Sequence, residues 1–214
     1  MPERDDNSLT FKLVYYGPAQ SGKTTNLLRL HDLLSPELKG ELMTMETKDD
    51  RTLFFDLLPL GFRAPSGLLL KFRLFTVPGQ VAHDGTRKAV LSRADGIVFV
   101  ADSDRAQETN NGESFQSMAE NCHRVGLDFE QLPLVVQFNK CDLPTAVPEP
   151  EIRERWSAAP WPLIFAVALN GSGVEATFEA LLRALYQRHA NSLELATAHG
   201  LSEDAFIAGV LGRT

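Results

Sequence analysis

The sequence predicts an α/β fold in which a six-stranded, mostly parallel sheet with one antiparallel strand carries helices on both faces. Three observations lead there. Short apolar runs rich in Val, Ile, Leu and Phe recur along the 214 residues. Segments of helical periodicity separate most of them, and two runs are joined by a connection too short for a crossover helix.

The first expected strand is "FKLVYY", Phe11 to Tyr16. The helix after it starts inside a glycine-containing loop, would bury Leu27, Leu28, Leu30, Leu33 and Leu34, and stops near Ser35-Pro36. Glu37 to Asp50 has no clear period. The runs "TLFFDLLPL" and "LLLKFRLFTV" follow, joined by "GFRAPSG", which suits a hairpin. The remaining strands are "GIVFVAD" (Gly96 to Asp102), "LPLVVQFN" (Leu132 to Asn139) and "PLIFAVAL" (Pro162 to Leu169), with helices between them and a last one from about Val174 to His189. Prolines 144, 148, 150, 160 and 162 crowd a surface connection that includes the short helical piece "EIRERW".

Residues 1–9 read as an N-terminal extension, 10–190 as the domain and 191–214 as a C-terminal helical extension. In the tail, Ser202 before Glu203-Asp204 resembles a helix start. A short helix packed on the domain and a partner-binding or unfolded tail both fit it. With 43% hydrophobic and 23% charged residues, the length suits one domain with short additions. A net charge of -7 argues against a broad electrostatic grip on nucleic acid or an anionic membrane, so proteins or small anions are the expected partners. Only Cys122 and Cys141 occur, the first residues hold no apolar leader, and no apolar run approaches the roughly 20 residues of a membrane span. A cytoplasmic location without direct membrane insertion is expected.

The stretch "YYGPAQSGKTTN" contains G-x-x-x-x-G-K-T at Gly17, Gly22, Lys23 and Thr24, a loop that cradles a phosphate chain. Convergent backbone N–H groups need clearance, which glycines supply. Gly17, Gln20, Ser21, Gly22, Lys23, Thr24 and Thr25 are the candidate phosphate contacts. Lys23 would neutralise the outer phosphates, Thr24 would place its hydroxyl on Mg²⁺, and the helix start would add its positive dipole end.

The base is read further along. In "FNKCD", Asn139, Lys140 and Asp142 follow an apolar strand about 115 residues after the phosphate loop. Open α/β sheets bind ligands at that end of their strands. Guanine presents N1–H and N2–H₂ as adjacent donors, so a carboxylate that accepts from both, here Asp142, favours guanine over adenine. The Lys140 stem would cover a base face.

With both motifs in place, the chain resembles a P-loop NTPase of the Ras-like small GTPase superfamily, and within it the mutual gliding protein A (MglA) group of bacterial polarity GTPases. The matching stretches are "FKLVYYGPAQSGKTTNL", "TKDDRTLFFDLLPL", "FTVPGQV", "DGIVFVADS" and "NKCDLP", so the similarity runs from about residue 10 to 190. The resemblance implies hydrolysis of GTP to GDP and phosphate, slow without a partner. It assigns Thr52 to the Mg²⁺ shell and the γ-phosphate, Gly79 to a γ-phosphate contact, Gln80 to the attacking water and Arg51 to the charge that grows on the transferred group, beside Lys23. Ala168, in "AVALNGSG", takes the place of the backbone N–H that reads guanine O6. Plainer readings stand beside these: a solvated Arg51 next to Asp49 and Asp50, Gln80 as a turn residue, and Thr52 as the start of a strand. His83 reads as an exposed loop histidine or a proton shuttle. The partners implied are GTP or GDP, effector proteins and a roadblock-fold homodimer as activator, with the chain a monomer on its own and recruited to a cell pole.

Two departures from the superfamily pattern stand out. Thr76 occupies the place of an aspartate that holds Mg²⁺ through water, a replacement typical of the gliding group. Asp56 is a candidate substitute, although an extended strand would put it roughly 13 Å from Thr52. Ala82 and His83 stand where bulkier aromatic residues are expected, which weakens the usual partner surface and would suit a paralogue with a different partner. A scaffold that binds guanine nucleotide and barely hydrolyses it, and a P-loop phosphotransferase or ATPase, are the competing functions.

Overall fold

The computed structural model describes residues 2–5, 7–46, 54–78 and 84–213, with backbone alone for 44–46, 54–56 and 84. Its strands are β1 (Glu3–Asp5), β2 (Ser8–Tyr16), β3 (Met43–Glu46), β4 (Phe54–Arg63), β5 (Leu69–Thr76), β6 (Gly96–Asp102), β7 (Leu134–Asn139) and β8 (Leu163–Ala166). The helices are α1 (Lys23–Leu33), α2 (Asp84–Leu91), α3 (Glu108–Arg124), α4 (Glu149–Arg155), α5 (Val174–His189) and α6 (Glu203–Leu211).

All strands join one sheet in the order β3-β4-β5-β2-β6-β7-β8, with β1 paired to β2. The run β5-β2-β6-β7-β8 is parallel throughout. The expected hairpin is present: β4 pairs antiparallel with β5, with Leu60 opposite Phe72. The six expected strands are all there, and two further short ones extend the antiparallel part. β3 pairs antiparallel with β4 at the sheet edge, and the polar β1 folds back on Ser8 to Thr10. β1 has no apolar residue and takes strand form from pairing alone, and the Met43/Met45 alternation of β3 spans only four residues, which is why periodicity misses them. β2 accordingly begins at Ser8 rather than Phe11, carried down by its ladder with β5.

β6 is buried at every position, as a central strand covered on both faces must be. One apolar cluster lies under α1, α5 and α6, with Leu27, Leu30, Phe178 and Phe206 against Phe11 and Phe72 of the sheet. The other holds Phe99, Met118, Cys122 and Ile152 under α2, α3 and α4. The buried side of α1 needs correcting. Leu27, Leu30 and Leu34 face the core at the helical period, whereas Leu28 and Leu33 are 47% and 49% exposed because they fall outside that stripe.

The tail forms a packed helix. Ser202 Oγ accepts from the Ala205 N–H at 3.2 Å and caps α6, and Arg183 bonds Glu203 at 3.0 Å. Phe206 is fully buried against the rings of Phe72 at 5.8 Å, Tyr186 at 5.6 Å and Phe62 at 6.3 Å. Among the described residues no helix is long and apolar enough to cross a membrane.

Two stability predictions arise from this packing. Phe206→Ala is expected to cost about 3–5 kcal/mol in urea unfolding, because it empties a ring-lined site. An unchanged midpoint would mean that α6 adds nothing to the domain. At the end of α5, burial beside Phe11, with Arg188 adding positive charge, pushes His189 from the usual 6.5 down to about 4. The unfolded chain therefore binds more protons between those values, and stability falls as pH falls through that window. His189→Gln is expected to flatten this part of the pH profile; a profile identical to that of the parent protein would contradict the assignment.

Candidate functional site

The parallel strands all end at one edge of the sheet, so the loops after β2, β6, β7 and β8 meet there. The loop after β2 turns through three left-handed residues, Gly17 at φ 144°, Gln20 at φ 62° and Gly22 at φ 99°. A Cβ on Gly17 would collide with the Val100 carbonyl oxygen, and one on Gly22 with Asn139 Nδ2. Both glycines are thus required by close approach as well as by φ. Gly22 caps α1 without a side-chain hydrogen bond, so the helix presents its first backbone N–H groups to the loop. The Lys23 ammonium is buried in the arc of the loop and donates to Gly17 O at 3.0 Å and Pro18 O at 2.6 Å. Thr24 is exposed beside it, Thr25 is half-buried and Ser21 is buried.

Asn139, the last residue of β7, ties this loop to another. Its Nδ2 donates to Ser21 O at 2.8 Å, and its Oδ1 accepts from the Ala168 N–H at 2.8 Å. The backbone N–H that the resemblance assigns to guanine O6 is therefore engaged with Asn139. The Ala168 loop is also held to α1, where Arg29 Nε donates to Leu169 O at 3.0 Å, and Leu169 itself is 71% exposed.

Lys140 adopts φ 67° and sends its ammonium to Asp102 Oδ2, 2.6 Å away. Asp102 is only 6% exposed, and a buried carboxylate has to be compensated. Lys140 and the Asp104 N–H, at 3.0 Å from Oδ1, do so. Asn111 of α3 fixes the same residue's backbone, its Oδ1 accepting from Asp102 N at 3.0 Å and its Nδ2 donating to Asp102 O at 2.8 Å. Asp142 is exposed, and among the described residues its carboxylate makes no hydrogen bond or ion pair.

Gly17, Gln20, Ser21, Gly22, Lys23, Thr24, Thr25, Asn139, Lys140, Asp142 and Ala168 thus share one edge of the sheet. Arg51, Thr52, Gly79, Gln80, Ala82 and His83 lie outside the described residues. Asp56 is described by its backbone, opposite Thr44, and the side-chain role considered for it lies outside as well. Thr76 ends β5 and is 3% exposed. Among the described residues no group of three or more His, Cys, Asp or Glu is placed to hold a metal. Mg²⁺ keeps most of its waters and binds through few protein groups plus substrate phosphates. The Thr24 hydroxyl at the mouth of a phosphate loop fits that requirement, while Thr76 adds no charge to it.

Sequence reading missed Asp102 and Asn111, and beneath the loops the buried polar side chains Asn26, Gln137 and Thr177. A charged residue closing the otherwise apolar "GIVFVA" was a usable signal for Asp102. Asn111 carries none, since its role comes from the strand end it faces.

Because Gly22 is left-handed and its missing Cβ is the space that the Asn139 amide occupies, Gly22→Ala is expected to break the bond to Ser21 O. The cost is about 1–3 kcal/mol in urea unfolding. A variant as stable as the parent protein would show that the close approach is not required.

No protein-family model matches the chain. It is 44% identical over 172 residues to Mutual gliding-motility protein MglA of Myxococcus xanthus, a match that covers 80% of this chain and 88% of that protein. It is 26% identical over 192 residues to Elongation factor 4 1 of Lactiplantibacillus plantarum, across 85% of this chain and 30% of that protein. The long match at high identity, with the phosphate loop and the Asn139 to Asp142 segment at one sheet edge, leads to one conclusion: the chain belongs to the MglA group of Ras-like small GTPases.

Proposed function

We propose that the protein is a molecular switch that binds GTP, hydrolyses it to GDP and phosphate, and in its GTP-bound form engages effector proteins that control cell polarity and gliding motility. The observation that carries the proposal is a joint placement. An exposed Asp142 carboxylate without a protein partner and a glycine loop closed around Lys23 lie at the same sheet edge, joined through Asn139. A guanine base needs an acceptor of that kind at one end of the pocket, and a polyphosphate needs converging donors at the other. The name of the Myxococcus xanthus relative supports the link to motility.

In the proposed reaction, the backbone N–H groups from Gly17 to Thr25 and the Lys23 ammonium hold the phosphate chain, while Asp142 accepts from N1–H and N2–H₂. Gln80 orients a water whose oxygen forms a bond to the γ-phosphorus as the bond to the β,γ-bridging oxygen breaks; GDP departs with that electron pair, and the water's proton passes to the released phosphate. Arg51 balances the charge that develops, and Thr52 and Gly79 sense the γ-phosphate. Mg²⁺ held through Thr24 and Thr52 would supply charge neutralisation at the phosphates. Two loops that close around a γ-phosphate and relax without it make the switch. A roadblock-fold homodimer is the proposed activator, and the GTP-bound chain is recruited to a cell pole.

A second reading, a guanine-nucleotide scaffold that hydrolyses slowly, is favoured by one observation: the buried Thr76 brings no carboxylate to the metal. Single-turnover phosphate release from GTP and from ATP, with and without a roadblock-fold homodimer, separates the two. Release from GTP that accelerates with the homodimer supports the switch. Bound GTP that stays intact in both conditions supports the scaffold, and equal rates with ATP would remove both.

Asp142→Asn tests the base assignment. Replacing the carboxylate with an amide removes one charged acceptor and places a donor against guanine's donors. GDP affinity is expected to drop by at least about tenfold. Calorimetry that finds GDP and ADP binding unchanged in this variant would rule out Asp142 as the base reader.

A further inference from the structure

Two helices of the fold begin after a left-handed glycine, and each of those glycines closes one of the loops at the site. α1 follows Gly22 at φ 99°, and α5 follows Gly173 at φ 75°. Four residues into each helix a polar side chain turns back on that glycine's carbonyl. Asn26 Nδ2 donates to Gly22 O at 3.0 Å, and Thr177 Oγ1 donates to Gly173 O at 2.7 Å.

Gln137 of β7 joins the two. Its Nε2 donates to Asn26 Oδ1 and to Thr177 Oγ1, both at 2.8 Å, and its Oε1 accepts from Asn26 Nδ2 at 2.8 Å. All three residues are 0% exposed. Both N–H groups of each amide and the hydroxyl proton of Thr177 are used, so the set is closed and fully satisfied. Two residues further along the same strand, and therefore on the same face, Asn139 makes a second bridge from Ser21 O to the Ala168 N–H. β7 thus carries two amide rungs: the one at the mouth of the site joins the phosphate loop to the Ala168 loop directly, and the buried one joins the first turns of α1 and α5 that follow those loops.

A well-packed apolar side chain at position 137 would fill the core without needing partners, so stability alone is a poor account of a buried glutamine there. We propose that Gln137 is a positioning residue that couples the phosphate loop to the Ala168 loop, which the sequence resemblance places at the base, so that a ligand seated in one organises the other. The proposal rests on the nucleotide reading above and concerns how the two halves of GDP are bound together. Gln137 and Thr177 act from beneath the site, through the first turns of α1 and α5. Coupling of this kind is reciprocal: pyrophosphate in the loop should tighten guanosine, and guanosine should tighten pyrophosphate by the same factor.

The test measures guanosine affinity with and without saturating pyrophosphate, and GDP affinity, by titration of the full chain. In the wild-type protein pyrophosphate is expected to tighten guanosine about tenfold. Thr177→Val, which removes one hydroxyl and keeps the side-chain shape, is expected to reduce that factor to about two and to weaken GDP several-fold. Each fragment alone should bind within about twofold of wild type, and Thr177→Ser should restore the factor. Gln137→Leu should abolish the factor, and where that variant folds poorly the Thr177 pair carries the test. Wild-type coupling that persists in Thr177→Val, whatever happens to its melting temperature, overturns the proposal and leaves a purely structural triad. So does wild-type protein that binds GDP but shows no mutual effect of the fragments, an outcome that leaves the nucleotide reading intact. Wild-type protein that ignores GDP overturns the nucleotide reading and this proposal with it.

Discussion

The arrangement of the site depends on one side chain with a donor at one end and an acceptor at the other. Asn139 spans from Ser21 O to the Ala168 N–H, two backbone groups that belong to loops after β2 and β8. Those strands are separated by β6 and β7 in the sheet, so such a bridge is possible only where parallel strands end together. Gly22 has to lack a side chain because the Asn139 amide occupies that space. The left-handed turn at Gly22 in turn sets where α1 begins and how its N–H groups face the loop. Loop shape, helix start and the position of the Ala168 segment all meet at the Asn139 side chain.

Charge is organised around the same edge. The chain is acidic overall, at -7, yet the two lysines of the site are held in place by oxygen groups: Lys23 by two loop carbonyls and Lys140 by the buried Asp102. Asp102 is itself compensated by the Asp104 N–H, and its backbone is fixed by Asn111. The ordering cost of these cations is met during folding, so a polyanionic ligand meets positions already set. Asp142 differs from Asp102 in being exposed and without a protein partner, which leaves its oxygens available for donors of a ligand.

Most of the parallel sheet was legible in the sequence because its strands are buried on both faces and read as apolar runs, β6 most plainly. The phosphate loop and the Asn139 to Asp142 segment were legible because each is a local string at a strand end. β1 and β3 were not, since "ERD" has no apolar residue and the alternation in "MTME" spans only four residues. Five leucines make the apolar side of α1 look wider than it is, and the helical phase leaves Leu28 and Leu33 outside. Asn111 and Gln137 escaped because their meaning is relational: each is defined by a residue brought to it from another element. Arg51, Thr52, Gly79 and Gln80 lie outside the described residues, so their roles rest on the sequence resemblance.

The central claim is that one pocket selects a guanine nucleotide, with converging amides at the phosphates and one carboxylate at the base. Calorimetric titration of the wild-type chain with GDP and, separately, with ADP tests it most directly. The expected result is saturable binding of GDP at one site per chain, with ADP at least about a hundredfold weaker, as the loss of two hydrogen bonds to a charged acceptor implies. Binding of ADP as tight as GDP, or no binding of either, would contradict it.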